Sequence, residues 1–554
     1  MKKEKTITAE SRRSIIFLSA LLLILLAVFL RRPFTIDDPL LIWAARHIQT
    51  NPGNPYGFTV NWYGYAMPMS DIAKNPPLAA YFIALAASIL GWSEPALHLA
   101  FMPAAIGVAI ATYLIAARLC ANPLLATLAG ILSPVFIVSS LTVMSDVLML
   151  AFFVFAVYLW MEGLDETNHK TLALGALFAG ISAITKYFGM ALIPLFVVYG
   201  VFKKRAAGWW LLHLAIPLAI LGWYQWHTQH LYGRGLLFDA AEYATNLKSE
   251  VSKFPLAKTY VDLAFAGACV ATVLFFAPQL WRRSLCIGGL LFTGAATVVF
   301  MNLSVLGPFT LPPNSKAHFL FAIQLAVWGV TGISLVALAA VDFYNSRDAD
   351  SLLLFLWIIG TFIFAGFINW TTNGRSILPM TVPAGILIAR RLDMRAIPVN
   401  IRSLTTVVPL AVALVVSFLV ACADTSFADA AKTGAAKVYA SFGNGRTIWF
   451  AGHWGFQYYM EQLGAKPIDI KGTPVAVGHV VVQPSTNTNL IEMRNSRWPV
   501  RSILEVAPMS WLSTMSPALG AGFHSDVFGP LPFVIGSVPP EQFFVFEITS
   551  LAGS

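Results

Sequence analysis

The stretch SIIFLSALLLILLAVFLRRPFTIDDPLLIWAARHI, residues 14–48, joins a long apolar run to a pair of acids. Asp37 and Asp38 follow the apolar run at the point where the chain is expected to leave a membrane. Asp38 precedes Pro39 and a second apolar run, a pattern that predicts an N-cap with proline at the first helical position. This leaves Asp37 without a structural role. Two interpretations are open for the pair, namely plain capping of an interfacial helix, or one acid that serves as a catalytic base beside the bilayer.

Composition indicates a membrane protein. The chain has 554 residues, of which 57% are hydrophobic and 11% charged, and its mean hydropathy is +0.70. No soluble globular class has this balance. The formal charge of +9 does not indicate a nucleic-acid partner, because the basic residues fall mostly in short tracts between apolar segments, as membrane topology requires. The cysteines show no CxxC spacing, so neither a disulfide framework nor a zinc site is indicated.

Apolar segments long enough to span a bilayer predict about thirteen transmembrane helices. They lie at 14–30, 95–117, 123–141, 144–161, 170–186, 187–202, 208–225, 259–280, 284–303, 318–341, 351–370, 375–390 and 404–423. Residues 78–90 are also apolar, but they are few and follow Pro76-Pro77, which predicts a re-entrant or surface-lying helix. If residues 78–90 do not span the membrane, the basic parts of the chain fall on the cytoplasmic side, as the positive-inside rule expects. These parts are the N-terminus and the tracts at 203–205 and 390–402.

The same threading places four regions outside the cytoplasm. They are the loops 31–94, 226–258 and 304–317, and everything after about residue 424. Short apolar runs in the tail alternate with one helical stretch at 455–463, which predicts strands around a helix. We therefore expect a transmembrane domain at 1–423, in which 31–94 is an external loop with interfacial helices, and an extracytoplasmic α/β domain at 424–554. The expected location is the inner (plasma) membrane, with the N-terminus cytoplasmic and the tail periplasmic or extracellular.

Charged residues gather at the outer ends of the predicted spans. They are Asp146, Lys186 and Arg375, joined by Asp37, Asp71 and Lys74 of the first loop. Snorkelling to the headgroups is the alternative for Lys186 and Arg375, and helix capping is the alternative for Asp146. Together these acids and bases suit a reaction on a lipid phosphate headgroup, because carboxylates take protons and cations hold phosphate. A transporter would be expected to place its polar residues near the midplane of the bilayer.

Several motifs occur in an order that resembles the GT-C class of membrane glycosyltransferases, closest to the protein O-mannosyltransferase and aminoarabinose transferase group. The motifs are Asp37-Asp-Pro-Leu-Leu-Ile-Trp-Ala-Ala-Arg46, Lys74-Asn-Pro-Pro-Leu78, Ser133-Pro134 followed by Ser145-Asp146, Thr185-Lys186-Tyr-Phe-Gly189, and Gly374-Arg375-Ser-Ile-Leu-Pro379 with Pro383. The resemblance covers residues 14 to about 395. Asp38 stands where glutamate is commoner in the group, and Lys74 is shifted by one position from the usual lysine.

The resemblance implies an inverting transferase that moves a sugar from a polyprenyl-phosphate carrier to an acceptor on the exoplasmic side. Asp37 matches the catalytic acidic position of the family. We expect Lys186, Arg375 and Lys74 to hold the donor phosphate. Asp38, Asp71 and Asp146 either position the acceptor or bind a divalent cation, and the sequence indicates no other cofactor. Tyr232 and Arg234 belong to a loop that either closes over the site or simply connects two helices.

The expected partners are a polyprenyl-phosphate-linked sugar, membrane lipids, and a lipid, glycan or protein acceptor such as lipid A. A lipid-linked-sugar flippase or other transporter is the main alternative, and a non-catalytic scaffold that binds glycolipid is a third. All three functions are compatible with the predicted topology.

Overall fold

The computed structural model describes residues 9–246, 254–309, 311, 318–397, 400, 403–443, 445–472, 475–490 and 498–549. The basic residues before Ala9, Arg402, and parts of the predicted loops 226–258 and 304–317 lie outside these ranges. The described chain is mainly helical. Its α-helices are Ala9–Ala27, Asp38–Thr50, Met69–Ile72, Leu78–Leu90, Glu94–Leu119, Pro123–Ile131, Pro134–Ser140, Ser145–Glu166, His169–Thr185, Leu192–Lys204, Ala215–Tyr232, Leu236–Asn246, Pro255–Cys269, Thr272–Leu280, Arg283–Met301, His318–Ser346, Ala349–Ile363, Gly374–Ile377, Thr381–Met394, Leu404–Phe442 and Trp454–Gln462.

Seven helical segments of the described chain are long and apolar enough to cross a membrane, or up to nine if each of two bent helix pairs is one span. The seven are Glu94–Leu119, Ser145–Glu166, Tyr187–Lys204, Arg283–Met301, His318–Ser346, Ala349–Ile368 and Leu404–Phe442. The pairs are Pro123–Ile131 with Pro134–Ser140, bent by 67°, and Pro255–Cys269 with Thr272–Leu280, bent by 88°. The first bend is explained by Pro134, which disfavours helical backbone in the residue before it. The chain is thus a multi-pass membrane protein.

The sequence-based count of about thirteen spans is not confirmed, and four of the predicted segments account for the difference. The helix His169–Thr185 has 17 residues, or about 26 Å, which is less than the hydrocarbon thickness of about 30 Å. Ala9–Ala27 carries three charged residues near its start. The segments 208–225 and 375–390 are divided between shorter helical pieces.

The first loop, residues 31–94, folds into helices and a small hairpin. The helix Leu78–Leu90 packs against Asp38–Thr50, and its 13 residues measure about 20 Å, too short to cross the bilayer. The short length agrees with the sequence-based interpretation of this segment. The hairpin pairs Thr59–Asn61 with Ala66–Pro68 in antiparallel register.

The C-terminal part of the chain contains strands around a helix, as predicted. We call the chain after Phe442 the tail. Its five-stranded sheet has the order Lys466–Pro467, Ile448–Phe450, Val480–Pro484, Glu541–Glu547 and Val500–Val506. The first three strands are parallel and the last two are antiparallel to their neighbours. Two small pairs, Leu512–Ser513 with Val534–Ile535 and Met515–Ser516 with Ala521–Gly522, follow.

The helix Leu404–Phe442 joins the membrane part to the tail. It has 39 residues, about 58 Å at the usual helical rise, so it extends well beyond a bilayer. The predicted domain boundary at 423 and 424 falls inside this continuous helix, and the division of the chain at that point stays a prediction. The tail helix Trp454–Gln462 packs against Leu404–Phe442 and against Asp38–Thr50, which places the tail directly on the first loop.

A buried cluster of charged residues fixes the first loop to the tail. Arg32 Nη2 donates to Asp424 Oδ2 at 2.6 Å, and both side chains are fully buried. Arg32 Nη1 donates to the backbone oxygen of Leu141 at 2.7 Å. Asp424 Oδ1 accepts from Thr514 Oγ1 at 2.8 Å and lies 3.0 Å from His524 Nε2. Because an unpaired buried charge is costly, this cluster holds the start of the first loop in one position.

We expect Asp424→Asn to destabilise the protein strongly. The variant leaves the buried Arg32 guanidinium without its countercharge, which costs about 3 to 5 kcal/mol in buried pairs. Thermal unfolding in detergent micelles, followed by circular dichroism, measures the loss. The control is Arg446→Ala, which removes a pair with Glu547 at 3.6 Å on the exposed side of the tail and should change stability by less than about 1 kcal/mol. Equal effects of the two variants would contradict a structural role for the buried cluster.

Candidate active site at the membrane boundary

A cavity of about 180 Å³ lies between the first loop, the start of the helix Ser145–Glu166 and the turn before Gly374–Ile377. Five charged residues line it, all of them predicted from the sequence: Asp37, Lys74, Asp146, Lys186 and Arg375. The fold brings these residues together from separate parts of the chain, and Asp37 and Arg375 are 338 positions apart.

Asp37 occupies the N-cap position of the helix Asp38–Thr50, but its side chain makes no capping hydrogen bond. Arg375 Nη2 instead donates to Asp37 Oδ2 at 3.1 Å, while 38% of the Asp37 side chain remains exposed. The preceding residue, Ile36, has φ 49°, which is rare for a β-branched side chain. The chain therefore turns sharply just before Asp37, and its carboxylate is held by one cation while still reaching solvent.

Arg375 is held in the cavity by the chain around it. The short helix that contains it begins after Asn373, whose side chain caps the backbone N–H of Ser376. The guanidinium Nη1 lies 2.8 Å from the sulfur of Met144. Its Nε is buried and has no hydrogen-bond partner among the residues that the structure describes. A buried donor without a partner is uncommon in proteins, so the site has one strong hydrogen-bond donor that remains to be satisfied.

Asp146 and Lys186 form a second ion pair on the cavity wall. Asp146 lies in the first turn of the helix Ser145–Glu166, and its side chain is only 2% exposed. Lys186 follows directly after the helix His169–Thr185 ends. Asp146 therefore holds the Lys186 ammonium at the cavity, with 16% of the lysine side chain exposed.

Asp38 does not line the cavity. It is fully buried, and its carboxylate accepts the backbone N–H groups of Thr35 at 2.9 Å and Val143 at 3.0 Å. The sequence-based interpretation of Asp38 as the N-cap is wrong, because Asp37 has that position and Asp38 is the first helical residue. Its carboxylate instead joins the first loop to the segment before Ser145. Burial raises the pKa of Asp38 to about 7, although Arg32 and the two backbone hydrogen bonds oppose the shift.

The remaining predicted residues link the first loop to the segment after the helix Ala215–Tyr232. Arg234 forms an ion pair with Asp71 and also lies 3.4 Å from Asp239. Lys74 Nζ donates to Asp239 Oδ2 at 2.6 Å. Tyr232 accepts a hydrogen bond from the backbone N–H of Tyr56 at 3.1 Å and donates to Asn54 Oδ1 at 2.9 Å. Asp71, Tyr232 and Arg234 thus hold the rim of the site, outside the charged cavity.

Aromatic side chains complete the cavity wall, and the sequence analysis does not single them out. They are Tyr56, Trp62, Tyr63, Tyr243 and Trp370. The ring of Tyr243 lies 5.0 Å from the Lys74 ammonium. A sequence signal exists for Tyr56, Trp62 and Tyr63, because residues 56–65 contain five aromatic residues. Tyr243 and Trp370 come from distant segments, and no local pattern marks them.

The donor set of the cavity does not favour a divalent cation. In the described ranges there is no group of three or more His, Cys, Asp or Glu side chains that could hold a metal ion. Asp37 is paired with Arg375, and Asp146 with Lys186. Each carboxylate is thus already neutralised by a basic side chain of the protein, and no step below is assigned to a metal.

The family-model comparison identifies a related group. Residues 74–224 match the family described as dolichyl-phosphate-mannose-protein mannosyltransferase, which confirms the resemblance to the GT-C class of glycosyltransferases. The matched segment contains Lys74, Asp146 and Lys186, whereas Asp37 and Arg375 lie outside it. A comparison with curated proteins finds no match.

Solved structures with similar folds are distant in sequence. The oligosaccharyltransferase of Archaeoglobus fulgidus is 13% identical with a TM-score of 0.48, over 82% of this chain and 64% of that one. The chain thus spans less than two thirds of the archaeal protein. ArnT from Cupriavidus metallidurans, solved with undecaprenyl phosphate, is 12% identical with a TM-score of 0.44, over 98% and 99% of the two chains. The Saccharomyces cerevisiae protein O-mannosyltransferase complex, solved with its sugar donor, is 14% identical with a TM-score of 0.33, over 41% and 35%. These scores are too low to support an argument about function.

We expect Asp38 to make the protein less stable as the pH rises. Its folded-state pKa of about 7 lies above the unfolded value of 3.8, so the folded state binds the proton more tightly and this stabilisation is lost between about pH 4 and pH 7. Thermal unfolding of wild type and Asp38→Asn at pH 5 and pH 8 measures the effect. The stability of wild type relative to the variant should be greater at pH 5. A difference between the two proteins that does not change with pH would contradict the assignment.

Proposed function

We propose that the protein is an inverting glycosyltransferase that moves a sugar from a polyprenyl-phosphate donor to an envelope acceptor on the periplasmic side of the inner membrane. One observation carries the proposal. A partly exposed carboxylate, Asp37, shares a cavity with two cations, Arg375 and Lys186. A carboxylate to accept a proton and cations to hold a departing phosphate are what a single displacement at the anomeric carbon requires.

Asp37 is the proposed general base. The acceptor hydroxyl gives its proton to the Asp37 carboxylate while its oxygen forms a bond to the anomeric carbon. On the opposite face, the bond between that carbon and the phosphate oxygen breaks, and the electron pair leaves with the polyprenyl phosphate. The exposure of Asp37 supports this role, because an acceptor must be able to reach its oxygens.

Arg375 and Lys186 are the proposed ligands of the donor phosphate. Negative charge grows on the phosphate as the sugar leaves, and cations placed there stabilise the transition state. The Nη1 of Arg375 supports this assignment, because it contacts the sulfur of Met144, a weak acceptor that a phosphate oxygen could replace. Lys74, which lines the same cavity and is paired with Asp239, is the third proposed ligand. Asp146 positions Lys186 through their ion pair. Asp38 holds the backbone of the first loop through its hydrogen bonds.

An apolar cavity of about 240 Å³ is the proposed place for part of the polyprenyl chain. It is lined by Phe153, Phe188, Leu195, Leu356 and Trp357, among others. Phe188 lies two residues after Lys186, and Phe153 lies two helical turns after Asp146. A lipid whose phosphate contacts Lys186 could therefore continue into an apolar environment, which agrees with the mostly apolar lining of ligand cavities.

The charges along one helix support the proposed orientation. In Ser145–Glu166, Asp146 lies at the cavity and Asp165 near the other end, about 28 Å away along the helix. Asp165 pairs there with Arg118 and Lys203. This basic end suits the cytoplasmic side by the positive-inside rule, so the cavity belongs to the opposite, periplasmic face. The assay below tests lipid A, another glycan and a protein as acceptors.

We expect Asp37→Asn to lower the rate of sugar transfer by about 10² to 10⁴-fold, the usual contribution of a general base. The amide oxygen can still accept from Arg375, so the fold and the affinity for the donor should change little. Transfer from a panel of undecaprenyl-phosphate sugars to extracted envelope lipids, glycans and proteins measures the effect. Asp165→Asn, at the opposite end of the helix Ser145–Glu166, is the control and should retain activity.

The same assay separates a transferase from a flippase or transporter. In reconstituted vesicles, a transporter would move the lipid-linked sugar across the bilayer without forming a glycosylated product, and Asp37→Asn would alter that movement. Product formation by wild type that is lost in Asp37→Asn supports the transferase. Translocation without product from any donor in the panel would refute it.

We expect Lys186→Met to weaken the binding of undecaprenyl phosphate by about tenfold or more, because a charge-assisted hydrogen bond contributes roughly 1.5 to 3 kcal/mol. Lys203→Met is the matched control. Lys203 lies at the far end of the segment Tyr187–Lys204 that Lys186 precedes, so the control removes the same charge away from the cavity. Native mass spectrometry of the two variants with added undecaprenyl phosphate measures binding. Equal affinities would exclude Lys186 as a phosphate ligand.

A further inference from the structure

A second and larger cavity lies beside the candidate active site. Its volume is about 480 Å³, and it is lined by residues of four regions: Pro255 and Lys258, Pro308 and Phe309, the segment 366–370, and Asp526 with Val527 of the tail. Trp370 lines both this cavity and the candidate active site. The segment 366–375 thus runs from the wall of the second cavity to Arg375.

Two charged residues, Lys258 and Asp526, line the inner end of this cavity, and Asp262 lies behind them. Lys258 forms an ion pair with Asp262 and lies 3.4 Å from Asp526 Oδ2. Thr372 joins the two acids, because its hydroxyl donates to Asp262 Oδ1 at 2.6 Å and its backbone N–H donates to Asp526 Oδ1 at 3.2 Å. All three charged residues are more than 90% buried. With two carboxylates and one ammonium, the cluster has an excess of negative charge.

One oxygen of this cluster has an unused hydrogen-bonding capacity. Asp262 Oδ2 is buried and accepts no hydrogen bond from any residue in the described part of the chain. It lies behind Gly366, which lines the cavity, and a Cβ at this glycine would collide with that oxygen. Gly366 therefore lies between this oxygen and the cavity, and the charges that the cavity itself presents are those of Lys258 and Asp526.

The outer part of the cavity is apolar and lies at the edge of the membrane part. Phe367 lies in the last turn of the span Ala349–Ile368 and Trp370 just after it, and they are 45% and 43% exposed. Val527 of the tail is 74% exposed. Large exposed apolar side chains at this level suit contact with lipid. The cavity thus combines an apolar rim at the bilayer surface with a polar, negatively charged inner end.

From these contacts we infer that the second cavity is the acceptor subsite, and that it takes a glycolipid whose hydroxyl-bearing head contacts Lys258 and Asp526. This inference rests on the proposed function and specifies its acceptor. The excess negative charge excludes a phosphate as the group at the inner end, because like charges repel in a buried site. The apolar rim favours an amphiphile over a soluble glycan. A hydroxyl-bearing peptide is the alternative that the experiment must separate.

The test uses the full-length protein in lipid nanodiscs and a hexadecyl β-glucoside with a photoreactive diazirine in its alkyl chain. Irradiation followed by peptide mass spectrometry should find the label on peptides that contain residues 254–258, 366–370 or 526–527. Asp526→Asn keeps the acceptor oxygen for Thr372 but removes a charge, and it should lower labelling by about tenfold. Glu505→Gln, an exposed acid elsewhere in the tail, is the matched control and should leave labelling unchanged.

A second variant tests the inference in case Asp526→Asn fails to fold. Val527→Phe adds bulk at the exposed rim without touching the charged cluster, and it should also reduce labelling. Labelling that is absent from these peptides, or unchanged in both Asp526→Asn and Val527→Phe, would overturn the inference. The labelling can also be competed with unlabelled molecules. If a serine-containing peptide reduces labelling and unlabelled hexadecyl glucoside does not, the ligand of the cavity is a peptide and the glycolipid is refuted.

The two proposals fail in different ways. Specific labelling in a protein that transfers no sugar would leave the subsite intact and refute the transferase. Transfer of sugar that is lost in Asp37→Asn but unaffected in Asp526→Asn would support the transferase and refute the subsite.

Discussion

The pairing of charges at the edge of the bilayer is the constraint on which this structure depends. A carboxylate or ammonium taken out of water is costly unless a countercharge lies beside it. Asp37 is paired with Arg375, Asp146 with Lys186, and Arg32 with Asp424. Each pair joins distant segments of the chain, so the requirement for neutral pairing also determines which helix ends and loops must meet.

These pairs differ in solvent exposure, and the difference separates their roles. Arg32 and Asp424 are completely buried, so they fix one arrangement of the first loop on the helix Leu404–Phe442. Asp37 keeps more than a third of its side chain exposed. A carboxylate that is positioned by a cation and yet open to solvent can exchange protons with an incoming hydroxyl, which a buried one cannot do. The buried pair thus provides the rigid support on which an exposed reactive group can be placed.

The tail contributes directly to the surroundings of the site. Gly374 donates its backbone N–H to the oxygen of Phe523 at 2.7 Å, and Asp526 accepts from Thr372. The turn that presents Arg375 is therefore held by residues more than 140 positions later in the chain. The helix Leu404–Phe442 makes this possible, since it continues without a break from the membrane part into the tail.

The sequence by itself determined the class of the protein and the charged residues of the cavity. Long apolar runs require a membrane environment, and charged groups at their ends are too costly to occur there without a role or a partner. It did not determine the number of spans, because the hydropathy of a segment does not show where a helix bends or ends, as at Pro134. It gave Asp37 and Asp38 different roles, but it placed the N-cap on the wrong one of the two. One faces the cavity and the other is buried against Thr35 and Val143.

Only the tertiary structure decided the pairings and the second cavity. Lys258 and Asp262 are four residues apart on one helix, but no sequence pattern places Asp526 beside them, since that contact depends on how the tail packs against the membrane helices. The same holds for Tyr243 and Trp370 on the cavity wall. Local propensity extends over a few residues, whereas these contacts join segments more than a hundred residues apart. Their energy comes from burial and charge pairing that exist only once the chain has folded.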